Sequence, residues 1–319
     1  MNRLFVSLFL LSSLLLSCQK VNDPTVAQPK TISDVLTESA SFSLLRAAVL
    51  QAGLSDALKG AQLTLFAPTD EAFRAAGYAT PEAFRNVPVE QLRTLLRYHL
   101  INGTVTTQTP ELASATNLAV EASNQRVLFV TNGANGLVVN GSRATQTDQV
   151  VANGIIHTIG KVLTPAADNV VSVLAQRTDL SLLNAAVARA ATLRPDLLQI
   201  LNGTTTNTSL RRLTLFAPTD EAFRAAGYRT VADINNASPT TLANILTYHV
   251  VPGFLFANQL QTGQLTTLNP TSSNRIAVTV AGSTATVKGN RNATTALLKE
   301  ADLVSGNAVI HIIDQVLLP

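Results

Sequence analysis

Apolar residues recur along the chain in two rhythms, one helical and one alternating, and the same succession occurs twice. The spacing i, i+3, i+4, i+7 through Ile32-Val35-Leu36 and Phe42-Leu44-Leu45-Ala48-Val49 predicts amphipathic helices, and Val170–Leu174 with Leu180–Val187 repeats it. Leu63–Ala67 predicts a short strand that ends at Pro68, which has no N–H for a ladder. Thr69 is placed to cap the helix that follows, with Asp70 and Glu71 at its positive end, Phe73 facing inward and Gly77 as the left-handed stop. Thr80-Pro81-Glu82 predicts a further helix start, and Leu92–His99 keeps helical spacing until Asn102-Gly103 turns the chain. Alternating segments follow at Val127–Val130, Leu137–Val139 and Ile155–Val162, and again at Ile276–Val280, Ala285–Val287 and Val309–Leu317. Gly and Asn turns between them predict a β-meander or sandwich.

The repetition is literal in places. The sixteen residues Leu63–Tyr78, LTLFAPTDEAFRAAGY, recur unchanged as Leu213–Tyr228, at an offset of 150. Tyr98-His99 recurs as Tyr248-His249 at the same offset, whereas the segments around His157 and His311 lie 154 apart. The second copy therefore holds four extra residues between its landmarks. A period this long exceeds the ~20–50 residues of solenoid repeats and predicts two whole domains, each with its own core.

Composition changes this picture little. The net charge of +3 over 319 residues forms no cluster, so no nucleic-acid partner is expected. The one cysteine matters for its position. Met1-Asn2-Arg3 is a positive start, and Leu4–Leu16 is an apolar run too short for a bilayer span, which needs about 20 residues. The run closes in Leu15-Leu16-Ser17-Cys18, which resembles a bacterial lipobox; an ordinary secretory signal with an incidental cysteine is the other reading. Residues 1–17 are then a signal peptide, 18–30 a tether lipidated at Cys18, and the membrane is met through the lipid. Gln19, in place of an Asp, points to the outer membrane, at its surface or periplasmic face. With no second thiol, the domains must hold by packing alone.

The strand-to-helix segment TLFAPTDEAF, the Tyr-His pair about thirty residues on, and the closing segments Asn153–Leu163 and Asn307–Leu317 together resemble the fasciclin domain, across residues 31–165 and 168–319. The resemblance implies an α+β fold in each copy, a twisted β-sandwich or wedge with several small helices packed at one side. It also implies a non-enzymatic role in adhesion or matrix-type contacts with a surface protein or polysaccharide. In animal relatives the Tyr-His region is implicated in integrin binding, which makes Tyr98, His99, Tyr248 and His249 candidate partner-binding residues; packing at a helix end is the competing reading. Two departures put equivalent contacts by the copies in doubt: Thr164 stands where the second copy has Leu318, and Gly160 where it has Asp314.

Asp70, Asp220, His157 and His311 are expected to serve structure. A histidine on an apolar strand face is usually a core residue bonded to backbone, and no ligand spacing such as HxxxH accompanies the four histidines, so neither metal nor cofactor is expected. No nucleophile elbow, GxGxxG or P-loop occurs, so no enzyme is expected either. Sequons at Asn102, Asn140, Asn202, Asn207, Asn236 and Asn292 read as turn chemistry. The expected function is adhesion by a lipid-anchored double domain, with a periplasmic accessory protein for a small ligand or transporter as the alternative.

Overall fold

The computed structural model describes residues 28–319, except 115, 135 and 283. The signal segment, Cys18 and Gln19 lie outside the described residues.

In the first copy, α1 (Ile32–Glu38) and α2 (Ser43–Ala52) precede β1 (Leu63–Pro68), α3 (Asp70–Ala75) and α4 (Val89–Tyr98). Then come β2 (Leu100–Asn102), α5 (Pro110–Ser114), β3 (Leu118–Glu121), β4 (Val127–Gly133), β5 (Gly136–Val139), β6 (Ser142–Val151) and β7 (Gly154–Ile159). The second copy opens with α6 (Val170–Gln176), α7 (Ser181–Ala191) and α8 (Pro195–Leu201), followed by β8 (Leu213–Pro218) and α9 (Asp220–Ala225). It continues with α10 (Val231–Asn236), α11 (Pro239–Tyr248) and β9 (Val250–Pro252). Its last strands are β10 (Gly263–Thr266), β11 (Arg275–Ala281), β12 (Thr284–Lys288), β13 (Ala296–Val304) and β14 (Ala308–Ile313).

Each copy forms one seven-stranded sheet, β2-β1-β7-β6-β5-β4-β3 in the first and the same order reversed in the second. The expected α+β wedge is present. It is not a plain meander: the first strand lies parallel to the last, Leu63 beside Gly154 through Pro68 beside Ile159. Strand β6 is irregular: its register against β7 slips between Ala144 and Gln146 and again before Gln149. Such bulges kink a strand and raise its twist. The polar run of β6 hides this strand from any reading by hydrophobic alternation, and β7 stops at Ile159, three residues before the expected end.

The sheet divides each copy's core in two, because alternate residues of its central strands face opposite sides. One cluster packs α1, α2 and α4 on the sheet through Leu45, Ala48, Phe73, Phe84, Leu92 and Ile156. The other lies on the opposite face, with Phe66, Tyr98, Leu128, Val130, Val139 and Ile159. Side chains alternate along β7, so Ile156 faces the helices while His157 and Ile159 face the sheet core.

A fifth cluster joins the copies: Phe129 and Ala166 meet Phe254, Phe256, Val304 and Val309. The Phe129 and Phe254 rings cross edge to face at 4.6 Å, a favourable arrangement for aromatic quadrupoles. Polar contacts frame them. Asn117 Nδ2 donates to the Phe254 carbonyl at 3.2 Å, Gln259 Nε2 to Asn117 Oδ1 at 2.9 Å, and Lys161 Nζ to the Ala301 carbonyl at 2.9 Å.

The copies differ where they meet. Phe254 and Phe256 stand where the first copy has Thr104 and Thr106, and Phe129 stands where the second has Ala277. Val304 is buried in the joint, yet its counterpart Val150 is 77% exposed. The turn Asn140-Gly141 between β5 and β6 is likewise replaced between β12 and β13 by the longer loop 289–295, which carries the extra residues. With only a two-residue turn, Gly141 comes so close to Asp302 that a Cβ on it would lie 2.2 Å from the carboxylate Oδ2.

Candidate functional site

The repeated motifs were the candidates, and the structure turns most of their polar atoms inward. Thr69 Oγ1 accepts from the Ala72 N–H and so caps α3, as expected. Asp70, the first residue of α3, has a different task from stabilising its own helix. Its carboxylate accepts from Ser43 Oγ at 2.6 Å and from the Leu44 N–H at 2.8 Å, capping the start of α2. Asp220 does the same for Ser181 and Leu182. Both carboxylates are buried and hold two helices together rather than one. Asp70→Ala leaves that N–H without a partner in the core and should lower the stability of the first domain by about 2–3 kcal/mol. The same loss should follow in the second domain from Asp220→Ala, each read as its own shift in urea unfolding. Unchanged midpoints would refute the capping role.

Tyr98 and His99 close α4, and both are buried. The Tyr98 hydroxyl donates to the Val127 carbonyl at 2.8 Å and accepts from Asn140 Nδ2 at 2.8 Å. Burial pushes its phenol up to about 12. His99 donates from Nδ1 to the Leu95 carbonyl and accepts at Nε2 from the Leu163 N–H, both at 2.8 Å. It ties the closing segment of the domain to α4. The second copy keeps the pattern with one change of donor: Tyr248 donates to the Arg275 carbonyl and accepts from the Asn290 backbone N–H, and His249 spans Ile245 and Leu317. A partner could not touch these four side chains without opening a domain. Tyr98→Phe should cost about 1–2 kcal/mol, because the Val127 carbonyl and the Asn140 amide each lose a buried partner. Cell or polymer binding at a temperature where the variant remains folded should be unchanged; selective loss of binding would restore the pair as a contact site.

His157 explains the bulge. At the second slip of β6, Asp148 adopts φ +55 and its N–H has no strand partner; it donates instead to His157 Nδ1 at 3.2 Å. Nε2 of the same ring donates to the Val105 carbonyl at 2.8 Å. Asp302 (φ +65) and His311 repeat the unit, with Leu255 as the carbonyl. Each histidine is thus a neutral bridge between bulge and loop. Asp148 and Asp302 were not singled out from sequence, although an Asp nine residues before each histidine was a visible common offset. Asp148 spends its carboxylate on Thr107, through the backbone N–H and the hydroxyl. Ala257 replaces Thr107, so Asp302 keeps only the backbone bond, at 2.7 Å, and its other oxygen faces Gly141 of the first domain.

Among the described residues no group of three or more His, Cys, Asp or Glu stands together, and no helix is long and apolar enough to cross a membrane. The surface offers two matching grooves, one per copy. The first encloses about 550 Å³ and is walled by Tyr78, Leu95 and Pro165; the second encloses about 340 Å³ behind Tyr228, Ile245 and Pro319.

Comparison with known proteins agrees with the duplication. The model of the fasciclin domain matches residues 40–165 and again 183–319. Transforming growth factor-beta-induced protein ig-h3 of Sus scrofa is 28% identical over 258 residues, 80% of this chain and 34% of that protein. Periostin of Homo sapiens is 29% identical over 80% of this chain and 28% of its own length. The chain spans about a third of the length of such relatives. Protein sll1483 of Synechocystis sp. is 34% identical over 165 residues, half of this chain and 79% of that protein. A solved FAS1 domain pair from the insect cell adhesion molecule fasciclin I covers 86% of this chain at 20% identity, with a TM-score of 0.37 and 96% of its own length matched.

Proposed function

The chain belongs to the fasciclin-domain family, and on that footing we propose that it is a non-enzymatic cell-envelope protein that makes adhesive contacts through two fused domains. Domains of this family are adhesion-related extracellular modules. The observation that carries the reading is the joint. Phe129 of the first copy and Phe254 and Phe256 of the second have no aromatic counterpart in the other copy, and they pack together where the domains meet, leaving two repeated outer faces. A packed pair can engage a surface bivalently, and avidity then exceeds the affinity of either face, provided both reach their targets at once. Attachment through a lipid on Cys18, supported by the Leu15–Cys18 motif, and residence at the outer membrane, supported by Gln19 in place of an Asp, complete the proposal.

Protease shaving of intact cells tests it, with lysed cells as control and a Cys18→Ser strain beside them. The expected result is loss of the domains from intact cells and release of the serine variant from the membrane fraction. Protection in intact cells with digestion in lysate would place the domains inside the envelope and end the case for contact between cells.

A further inference from the structure

The two matching grooves point to a ligand class. They occupy the same place in both copies: helix α4 or α11 on one side, the tyrosine that ends the unchanged sixteen-residue block on another, and the closing proline on the third. Tyr78 and Tyr228 are half-buried, each fixed by its backbone N–H on the Phe73 or Phe223 carbonyl at 2.9 Å and by edge contact with that phenylalanine ring. Rigid phenol rings with an exposed part give flat apolar surface and a polar tip together. The helical rim carries uncharged hydrogen-bonding side chains in both copies, Gln91 and Thr94 in one and Thr241 and Asn244 in the other.

The charges differ. Glu90 borders the first groove and is already paired with Arg93 at 2.6 Å. Arg291 borders the second and takes part in none of the ion pairs among the described residues. It stands on the loop 289–295, which is bound to the closing segment: the Arg291 N–H donates to the Leu318 carbonyl at 3.2 Å and the Leu318 N–H to the Asn292 side-chain Oδ1 at 2.8 Å. The extra residues of the second copy thus hold a free guanidinium at the mouth of its groove.

We propose that these grooves are polysaccharide subsites, and that Arg291 makes the second one selective for a sugar bearing a carboxylate. This rests on the adhesive reading above and names the polymer and the place. Amide and hydroxyl rims match sugar hydroxyls, the tyrosine and proline walls match the C–H faces of a pyranose, and the guanidinium pairs with a carboxylate in the two-pronged geometry that planar anion favours. Two like sites at a fixed separation suit a polymer that offers its unit repeatedly.

The test uses the full-length chain in detergent with polygalacturonate and with its methyl-esterified, uncharged form. Arg291→Gln should weaken binding of the acid polymer about tenfold, Arg291→Glu more, and neither should alter binding of the ester. The acid preference should fade with added salt. Gln91→Trp and Thr241→Trp each fill one groove from an exposed helix position, and either should remove the avidity of the pair. Circular dichroism confirms that each variant is folded. Equal binding of the acid polymer by wild type and Arg291→Gln overturns the proposal, as does indifference to both tryptophans. Retained cell adhesion with no binding to either polymer removes the polysaccharide and leaves the adhesive reading standing. Capture of a proline-rich peptide by the same grooves, blocked by the tryptophans, would assign them to a protein partner instead.

Discussion

Lowering the pH from 7 to 4 is expected to remove roughly 3 kcal/mol of stability from each domain through a single histidine. Burial lowers His99 and His249 from the ordinary 6.5 to about 4. The sign follows from protons bound. Between pH 6.5 and 4 the unfolded chain takes up a proton on each imidazole and the folded chain does not, so acid favours unfolding. Above pH 6.5 neither state is protonated and the full stability is present; below about 4 both are, and the loss stops growing. His157 and His311 are also lowered by burial and act in the same direction. The structural target is the Nε2 lone pair of His99, which accepts the Leu163 N–H and disappears on protonation. Urea unfolding at several pH values measures this. Substituting His99 and His249 by Asn should flatten the dependence even as it lowers the plateau, and equal stability of the native chain at pH 7 and pH 4.5 would sink the assignment.

Gly141→Ala is expected to open the joint at a cost of about 2–5 kcal/mol. The residue sits at φ +76, where a side chain adds about 1–2 kcal/mol, and the new methyl would collide with Asp302 at 2.2 Å, an overpacking that adds about 1–3 more. The domains themselves should survive, because the clash is relieved by moving them apart. Calorimetry should then show two transitions instead of one, and small-angle scattering a longer particle. Adding Asp302→Ala removes the carboxylate from the clash and should restore part of the loss. A single unchanged transition in Gly141→Ala would mean that the turn does not press on the second domain.

Much of the fold could be read locally because its signals are local. Pro68, Thr69, Phe73 and Gly77 fix a strand end, a cap, a buried ring and a stop within ten residues, and all four act as expected. His157 and His311 could be read as core residues because each shares a strand face with aliphatic neighbours. Thr80 was harder: it caps nothing with its side chain, and Pro81–Asn86 is a 3-10 turn, whereas Thr230 forms a full capping box with Asp233. Position 233 holds the carboxylate that the first copy lacks.

Contacts between distant segments were out of reach. Asp70 looks like a helix-start residue, and nothing nearby announces Ser43 as its partner 27 positions earlier. The parallel pairing of β1 with β7 joins segments some ninety residues apart, and β6 between them is too polar to declare itself. The joint did leave a trace. Phe254 and Phe256 follow a turn in a chain only 5% aromatic, at positions where the other copy has threonine, and a residue-by-residue comparison of the copies would have marked them.

The four-residue difference gives the molecule a direction. If the gene were rearranged so that the second copy came first, its long loop 289–295 would occupy the place where the short turn at Gly141 now receives Asp302. Thr104 and Thr106 would stand where the joint needs phenylalanine. Both domains would fold, but they would hang from each other as independent beads. The two copies share an ancestor's architecture and have since become a left and a right half.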